Sequence, residues 1–513
     1  MNTTYPNRRH MDAIIIGTPE TARQAVAQLR LLTGRLYVAG CVLVDATGAY
    51  GIGVPVLGVA SELGDLAKRV RFDTAIVSLP SAMSGVIREI RATLARLGIA
   101  ERFMPPVTEL LARTPPFVVG AAGSCASLSV EANAIDPVAL IGREPRPIDS
   151  NLIDGLIRGK RVLITGAGGS IGSEIARLCA ARSPASLALM ERAENALFDI
   201  SRRIESRHPS VERCAILHDV VDAPGTRRWL GQYRPHVVFH AAAHKHVPLM
   251  EDHPALAVDN NVFGTKAIAD AALACGAERF VLISSDKAVN PSSVMGATKR
   301  LAELYVQGLH ARAHRSATPG ATRFSIVRFG NVLGSACSVL QIWGSQLAEG
   351  GPITLTDPRM TRYFMTIPEA AALVAQAAAL EPARPESASV YVLDMGDPVA
   401  ILDLANRFVS AHGFEPRMQG ELKFAAGGPT VEVRCTGIRP GEKIHEELAH
   451  GADELTPTPA AGVQKWTGDQ GRHTDIAAMI ADLATVRRSN DRASVVEAIW
   501  RHLDRRESLR IAA

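Results

Sequence analysis

A polar triplet, Ser285-Asp286-Lys287, follows directly after the apolar and partly β-branched run at residues 280–284. Such a run is typical of a buried parallel strand, and open α/β sheets bind their ligands at the carboxyl ends of such strands. A carboxyl group beside an amine is a ready acid/base pair, so we expect Asp286 and Lys287 to move protons on a bound substrate. Ser285 adds a hydroxyl group next to them.

A second chemical pattern lies on the helix predicted after the turn rich in proline and serine. Met295 and Lys299 are four residues apart, so they share one face of that helix. The spacing resembles the Tyr-x-x-x-Lys pattern of short-chain dehydrogenases, in which the lysine lowers the pKa of the tyrosine and holds the nicotinamide ribose. A thioether is neither an acid nor a base. Either the site is inactive or other groups carry the proton chemistry.

The block at residues 284–300, SSDKAVNPSSVMGATKR, resembles STDKAVNPTNVMGATKR of the nucleotide-sugar 4,6-dehydratases of surface-polysaccharide and glycan synthesis. These belong to the extended short-chain dehydrogenases, and the subgroup with methionine at the tyrosine position acts on UDP-N-acetylglucosamine. The resemblance implies that Lys287 removes the C5 proton, that Asp286 protonates the leaving 6-hydroxyl and that Ser285 helps to accept the 4-hydroxyl proton. We expect burial to lower the pKa of Lys287 and to raise that of Asp286.

A glycine motif, TGAGGSIG at residues 165–172, stands between a predicted strand and a predicted helix. Gly166 would make the turn, Gly169 would let the backbone approach a pyrophosphate, and Gly172 would let helix and strand pack. Glu191 follows 19 residues after Gly172, at the end of the next strand, and completes the pattern of dinucleotide binding. The other predicted cofactor contacts are Gly168, Ser170, Ile171, Arg192, Asp219, Val220, Ala241, Ala242, Ala243 and Lys299.

The choice between NAD and NADP depends on the end of that second strand. The Glu191 carboxylate would accept hydrogen bonds from the adenosine ribose hydroxyls and would repel a 2′-phosphate, which favours NAD. Arg192 beside it is suited to such a phosphate, so NADP stays the alternative. Asp219 has an alternative role as a helix cap.

The resemblance also indicates which residues meet a UDP-sugar. They lie in the segments HKHVP, FGNVLGS, DPRMTRYFMTIPEA and RPGEK, and are Lys245, His246, Asn331, Arg362, Arg439 and Glu442. For Arg362 two roles stay open, contact with the substrate's phosphates or a salt bridge that holds the fold. The family's SRGSV is SACSV here, so Ala336 and Cys337 replace an arginine and a glycine. This change leaves substrate affinity or substrate identity open.

Alternating strand and helix patterns predict an α/β protein with two Rossmann-like domains. We expect an N-terminal Rossmann-like domain at 11–112, a linker at 113–150 and the catalytic domain at 151–513. In the latter, a doubly wound parallel sheet that binds NAD precedes a smaller C-terminal α/β part for the substrate. The first domain has one glycine after its first strand, and Pro19 and Glu20 stand where a phosphate needs bare backbone. A structural or regulatory role is therefore predicted for it, and Arg143 and Glu144 are predicted to strap the linker onto the catalytic domain.

Composition narrows the class of protein. The apolar content of 47% is that of a globular core, and a net charge of +4 with scattered basic residues argues against a nucleic-acid partner. The seven cysteines form no C-x-x-C pair, which predicts buried free thiols in a reducing compartment and no metal site. We find no apolar run long enough for a signal peptide or a transmembrane segment. We therefore expect a cytoplasmic homo-oligomer that meets membranes only through partners, unlike larger family members, which carry transmembrane helices.

Two other functions fit parts of this pattern. A nucleotide-sugar epimerase uses the same cofactor and fold but needs Tyr-x-x-x-Lys, against which Met295 argues. A non-catalytic NAD-binding regulatory protein would tolerate Met295, Ala336 and Cys337, but it has no need of the Asp286-Lys287 pair.

Overall fold

The computed structural model describes residues 11–31, 36–44, 52–70, 72, 74–80, 83–104, 137–315, 321–380, 388–420, 430–449, 455–468 and 475–503. Most of the predicted linker, including Cys125, lies outside these residues. The domain boundaries set from the sequence therefore stay predictions.

The first sheet is parallel and five-stranded, in the order β3-β2-β1-β4-β5. Its strands are β1 (Met11–Gly17), β2 (Leu36–Leu43), β3 (Val56–Val59), β4 (Thr74–Ser78) and β5 (Ala100–Phe103), and its helices are α1 (Pro19–Leu31), α2 (Leu63–Arg69) and α3 (Ser84–Leu97). In the β1–α1 turn the Thr21 hydroxyl donates to the Ser78 carbonyl at 2.5 Å. Arg91 of α3 links this sheet to the C-terminal part, because it donates to the carbonyl of His412.

The second sheet has nine strands in the order β20-β21-β16-β11-β10-β9-β6-β7-β8. They are β6 (Arg161–Thr165), β7 (Ser186–Glu191), β8 (Arg213–Leu217), β9 (Val237–His240), β10 (Arg279–Ile283), β11 (Arg323–Arg328), β16 (Ser389–Leu393), β20 (Leu455–Pro457) and β21 (Val463–Trp466). The seven strands from β8 to β16 are parallel, and only β21 and β20 pair in antiparallel fashion. The strand order reverses between β6 and β9, which is where doubly wound sheets bind ligands.

The remaining helices cover both faces of the second sheet or belong to the smaller C-terminal part. They are α4 (Pro137–Ile141), α5 (Ser150–Ile157), α6 (Ser170–Ala180), α7 (Glu194–Arg207), α8 (Ala223–Tyr233), α9 (Val247–Asp252), α10 (Pro254–Ala257), α11 (Thr265–Ala274), α12 (Val294–Arg315), α13 (Val339–Ala348), α14 (Ile367–Ala379), α15 (Ile401–Ala411), α16 (Ile476–Val486) and α17 (Arg492–Arg501). A π-helical segment, Val258–Gly264, runs into α11. Successive residues of β6 point to opposite faces, so Leu163 joins one core and Val162 and Ile164 the other.

Short strands build the smaller C-terminal part. β12 (Asn331–Leu333) pairs with β15 (Phe364–Thr366), β14 (Thr361–Arg362) with β17 (Val399–Ala400), and β13 (Ile353–Leu355) with β19 (Thr430–Cys435), which also pairs with β18 (Glu415–Met418). A third core, centred on Trp343 and Phe408, joins α13 and α15 to these strands. The α/β fold with two Rossmann-like sheets, the second doubly wound and followed by a smaller part, is confirmed.

The described end of the linker is fastened to the second sheet's helices. Arg143 donates to Glu369 at 2.8 and 3.3 Å and to the Met395 carbonyl at 2.9 Å, and Arg146 pairs with Asp394 at 2.9 Å. The Thr366 hydroxyl caps α14 by accepting from the amide of Glu369. These contacts fit the predicted strap, and they take up the carboxylate of Glu369.

Cysteine burial differs from the prediction. Cys41 and Cys179 are buried free thiols, but Cys337 and Cys435 are exposed because they lie on a loop and at the last residue of a strand. Among the described residues, no helix combines the length and the apolar character that crossing a bilayer requires.

Candidate active site

The glycine turn between β6 and α6 is shaped to admit a ligand. Gly166 has φ +64°, and a Cβ atom there would lie 2.8 Å from the backbone of Ala241 and Ala242. A Cβ atom at Gly172 would lie 2.1 Å from the Gly166 carbonyl oxygen, so no side chain fits between turn and helix. α6 begins at Ser170, directly after this turn, and no side chain caps its first amides, which have no partners within the helix. Backbone donors at a helix N-terminus form a binding site for a phosphate.

The carboxylate of Glu191 organises the far side of the turn. Its Oε2 accepts from the amide of Gly168 at 3.2 Å, and its Oε1 accepts from the amides of Arg192 and Ala193 at 2.9 and 3.0 Å. The carboxylate is therefore fixed at the carboxyl end of β7, next to the glycine turn. This places a negative charge where an adenosine ribose would lie.

A groove of about 490 Å³ opens beside Glu191, between the ends of β7 and β8. Its lining is Arg192, Ala193, Leu217, His218 and Asp219. The Arg192 guanidinium bonds the ring of His244 at 2.6 Å and lies 3.9 Å from Asp219. Asp219 also accepts from the amide of Val221, so it caps the turn after β8, and Val220 is buried beneath it. The groove's exposed Leu217 and its polar rim suit a flat heterocycle.

The start of α12 brings Met295 and Lys299 together on its buried face. Met295 is 3% exposed, and the Lys299 ammonium donates to the Ile283 carbonyl at 2.6 Å. Burial lowers the pKa of Lys299 to about 8, although nearby Glu303 opposes the shift. His240, which Thr165 and Thr265 hold by both ring nitrogens, is neutral because burial and Lys299 lower its pKa to about 3.

The triplet after β10 forms a compact polar cluster on a 3₁₀ turn, Asp286–Ala288. The Ser285 hydroxyl donates to Asp286 Oδ1 at 2.9 Å and accepts from the amide of Lys287 at 3.2 Å. Lys287 Nζ donates to the same Oδ1 atom at 3.0 Å. Asp286 is fully buried, and its Oδ2 atom has no hydrogen-bond partner among the described residues. The structure thus brings the three predicted residues into direct contact and leaves one carboxylate oxygen open.

The pKa of Lys287 contradicts the expectation from the sequence. Burial does lower it, but the carboxylates of Asp286 and Glu446 outweigh burial and the opposing Arg362, so the pKa is raised. Lys287 Nζ lies 3.5 Å from Glu446 Oε1 and also donates to Asn331 Oδ1 at 3.3 Å. Lys287 therefore carries a proton in this arrangement. Sequence reasoning missed Glu446 because only the fold brings that residue to the 3₁₀ turn.

The predicted substrate residues fall into two groups. Asn331 touches Lys287, and Lys245 donates to the Ala336 carbonyl at 3.0 Å while the Ala336 amide donates to the Ser170 hydroxyl. The loop that lacks the family's arginine therefore bridges Lys245 and the glycine turn. His246 lies at the N-cap position of α9, where its side chain makes no capping hydrogen bond, and its pKa is lowered by burial and then by the charge of Lys245.

The second group holds the segment that contains RPGEK. Arg362 donates to the carbonyls of Lys443 and Ile444 at 2.8 and 3.0 Å and lies 4.0 Å from Glu446, so its contacts favour the fold-holding role. Glu442 accepts from the amide of Arg439 at 3.2 Å and closes the turn. The guanidinium of Arg439 is exposed on this turn. Contact of Arg439 and Glu442 with a nucleotide stays a prediction.

A buried ion-pair network fixes α12 against the sheet below the site. Arg328 donates to both oxygens of Glu303 at 2.8 and 2.5 Å, and Ser284 donates to Glu303 at 2.6 Å. Glu303 is fully buried and its pKa falls to about 2, because desolvation is overcome by the charges of Arg328 and Arg300 and by hydrogen bonds from Arg328 and Ser284. The ring centroid of Trp466 lies 4.6 Å from the Cζ atom of the Arg328 guanidinium. Glu303 lies one turn beyond Lys299, so this network holds the part of α12 that carries the predicted cofactor lysine.

The parallel sheet, the glycine turn and the helix lysine define an extended short-chain dehydrogenase. The family described as polysaccharide biosynthesis protein matches residues 162–465, and the chain belongs to this family, the nucleotide-sugar dehydratase branch of the extended short-chain dehydrogenases.

Known relatives agree with this assignment. The chain is 42% identical over 401 residues to the probable polysaccharide biosynthesis protein EpsC of Bacillus subtilis, covering 77% of this chain and 61% of that protein. It is 29% identical to a UDP-N-acetylglucosamine 4,6-dehydratase (inverting) of Campylobacter jejuni, over 58% of this chain and 80% of that protein. The X-ray structure of Pen from Bacillus thuringiensis superposes with a TM-score of 0.51 at 28% identity, over 60% of this chain and 88% of that one. The chain spans about three fifths of the length of EpsC.

Proposed function

We propose that this protein is an NAD-dependent nucleotide-sugar 4,6-dehydratase that converts UDP-N-acetylglucosamine to a UDP-4-keto-6-deoxy sugar in the cytoplasm. One observation carries the proposal. The Asp286-Lys287 pair is in direct contact at the carboxyl end of β10, while a buried methionine fills the position of the dehydrogenase tyrosine. The UDP-N-acetylglucosamine 4,6-dehydratase among the relatives supports this choice of substrate.

The residues present fit a dinucleotide. The glycine turn and the start of α6 would hold its pyrophosphate, the groove beside Asp219 its adenine, and Glu191 its adenosine ribose. Lys299, whose ammonium lies under the carboxyl end of β10, would hold the nicotinamide ribose. When bound, NAD supplies hydride chemistry, by taking hydride from C4 of the sugar and returning it to C6.

The protons can be balanced with the three residues of the triplet. The 4-hydroxyl proton passes to Ser285 Oγ as that hydroxyl gives its own proton to Asp286 Oδ1, 2.9 Å away. Asp286 then protonates the 6-hydroxyl, which leaves as water, while Lys287 removes the C5 proton. Lys287 finally returns a proton to C5. Because Lys287 must be neutral to act as a base, turnover should rise as the pH increases through its raised pKa.

Mass spectrometry of the products tests this function directly. Wild-type protein incubated with UDP-N-acetylglucosamine should yield a product lighter by one water, without accumulation of NADH. Lys287→Ala should yield none, whereas Lys160→Ala, which removes a surface lysine paired with Glu278, should behave as wild type. Full activity of Lys287→Ala would refute the assignment of the base. An isomer of unchanged mass would identify an epimerase instead.

A further inference from the structure

Glu446 occupies an unusual position for a residue outside the catalytic triplet. It is 7% exposed, and its Oε1 atom lies 3.5 Å from Lys287 Nζ. Its Oε2 atom is buried and has no hydrogen-bond partner among the described residues. A buried carboxylate with one oxygen that lacks a hydrogen bond lowers the stability of the fold. Such a group therefore indicates a functional role for its charge.

The charged groups around the Lys287 ammonium come from three elements. Asp286 lies on the same 3₁₀ turn at 3.0 Å, and Glu446 reaches it from the segment after RPGEK. Arg362 of β14 lies 4.0 Å from Glu446, and its positive charge acts to lower the pKa of Lys287. Asp286 alone would neutralise the ammonium, so the second carboxylate adds a further preference for the protonated form.

The segment that carries Glu446 is firmly anchored to the loop after the triplet. Lys443 donates to the Val289 carbonyl at 2.9 Å, and Ser292 donates to the Gly441 carbonyl at 3.1 Å. Asn290 donates to Glu447 at 2.5 Å. The distance between Glu446 and Lys287 is therefore fixed by contacts on both sides of the carboxylate.

We propose that Glu446 is a positioning residue that holds the Lys287 amine in place beside Asp286 and stabilises its protonated form. This role rests on the proposed function, in which Lys287 is the base. Glu446, which follows RPGEK, would thus influence the proposed base from a segment next to the turn at Arg439 and Glu442. That turn is predicted to contact the nucleotide.

Competitive acetylation of lysines across a pH series, read at the Lys287 peptide by mass spectrometry, tests this role without any turnover. In Glu446→Gln, Lys287 should be acetylated roughly fivefold or more faster near pH 9 than in wild type, because loss of the charge favours the neutral amine. Glu432→Gln removes an exposed carboxylate that pairs with Arg434 and takes no part in anchoring Glu446, so it should leave Lys287 labelling unchanged. Identical Lys287 profiles in wild type and folded Glu446→Gln would overturn the proposal.

The kinetic readout is separate. With dehydratase activity present, Glu446→Gln should shift the acid limb of the kcat profile to lower pH, which a merely structural role would not do. If the wild-type protein shows no dehydratase activity, the proposed function is wrong, but the labelling result still decides the role of Glu446. Should Glu446→Gln not fold, Glu446→Asp must change Lys287 labelling in the same direction to a smaller extent, and an unchanged profile there would refute the role.

Discussion

Gly296 lies so close to Lys287 that a Cβ atom at Gly296 would stand 2.2 Å from the Lys287 carbonyl oxygen. The start of α12 and the 3₁₀ turn of the triplet are therefore packed backbone to backbone. This contact fixes the distance from Lys287, the proposed base, to Met295 and Lys299 in the first two turns of the helix.

Gly296→Ala should disturb both stability and chemistry, because neither backbone segment can give way as a flexible side chain would. We expect a loss of about 2 kcal/mol or more in the free energy of unfolding, together with a lower kcat. Gly231→Ala, in α8, is the matched control, since a Cβ atom there meets nothing within 4 Å. Denaturant unfolding should find that variant as stable as wild type or more so. Equal stability of Gly296→Ala and wild type would show that the helix can shift freely.

Glu303→Gln should be strongly destabilising, because it leaves the buried guanidinium of Arg328 without its counter-charge. We expect a loss of about 3–5 kcal/mol at pH 7, measured by urea unfolding. Glu497→Gln, which breaks an exposed pair with Arg501, is the control and should change little.

The same network predicts a pH dependence. The pKa of Glu303 is about 2 in the folded protein against an ordinary 4.5, so its carboxylate contributes stability that is complete above pH 4.5. That contribution is lost as the pH falls from 4.5 towards 2. The stability gap between wild type and Glu303→Gln should therefore narrow over this interval. A gap that stays constant would mean that Glu303 is not ionised in the fold.

Glu191→Ser should relax the preference of the cofactor site. The carboxylate repels a 2′-phosphate, and its loss leaves Arg192 free to attract one, so the ratio of the Kd values for NADP and NAD should fall about tenfold or more. Isothermal titration calorimetry with each cofactor measures both constants. Glu205→Gln, at the other end of α7, should leave the ratio as in wild type. A ratio unmoved by Glu191→Ser would exclude the carboxylate as the discriminating group.

Most of the fold follows from local patterns. The apolar runs of β6, β9 and β10 and the glycine turn were sufficient to predict a doubly wound sheet, because parallel strands buried on both faces have nearly continuous apolar sequences. β5 was missed, since its sequence AERF alternates between exposed and half-buried positions and resembles a loop. Helices α16 and α17 pack on α12 in the core of the second sheet.

The site was less predictable where it depends on distant residues. The contact of Ser285, Asp286 and Lys287 follows from their adjacency, but the raised pKa of Lys287 depends on Glu446, which only the tertiary fold brings near. Glu369 is a second case. Its position three residues after Thr366 is typical of a capping box, in which its carboxylate would bind the Thr366 amide, but in the structure the carboxylate binds Arg143. Sequence spacing identifies neighbours within one helix or strand, but it does not identify contacts between residues that are far apart in the sequence.

The cluster around Lys287 draws its members from regions far apart along the chain, since Asn331 and Glu446 both emerge from the ribosome well after the triplet. During synthesis the glycine turn and the first strands of the second sheet are available long before the lysine has its full set of neighbours. In a nascent chain most of the dinucleotide half of the site is therefore synthesised first, and the cluster around Lys287 can be complete only after the segment that follows RPGEK has been made.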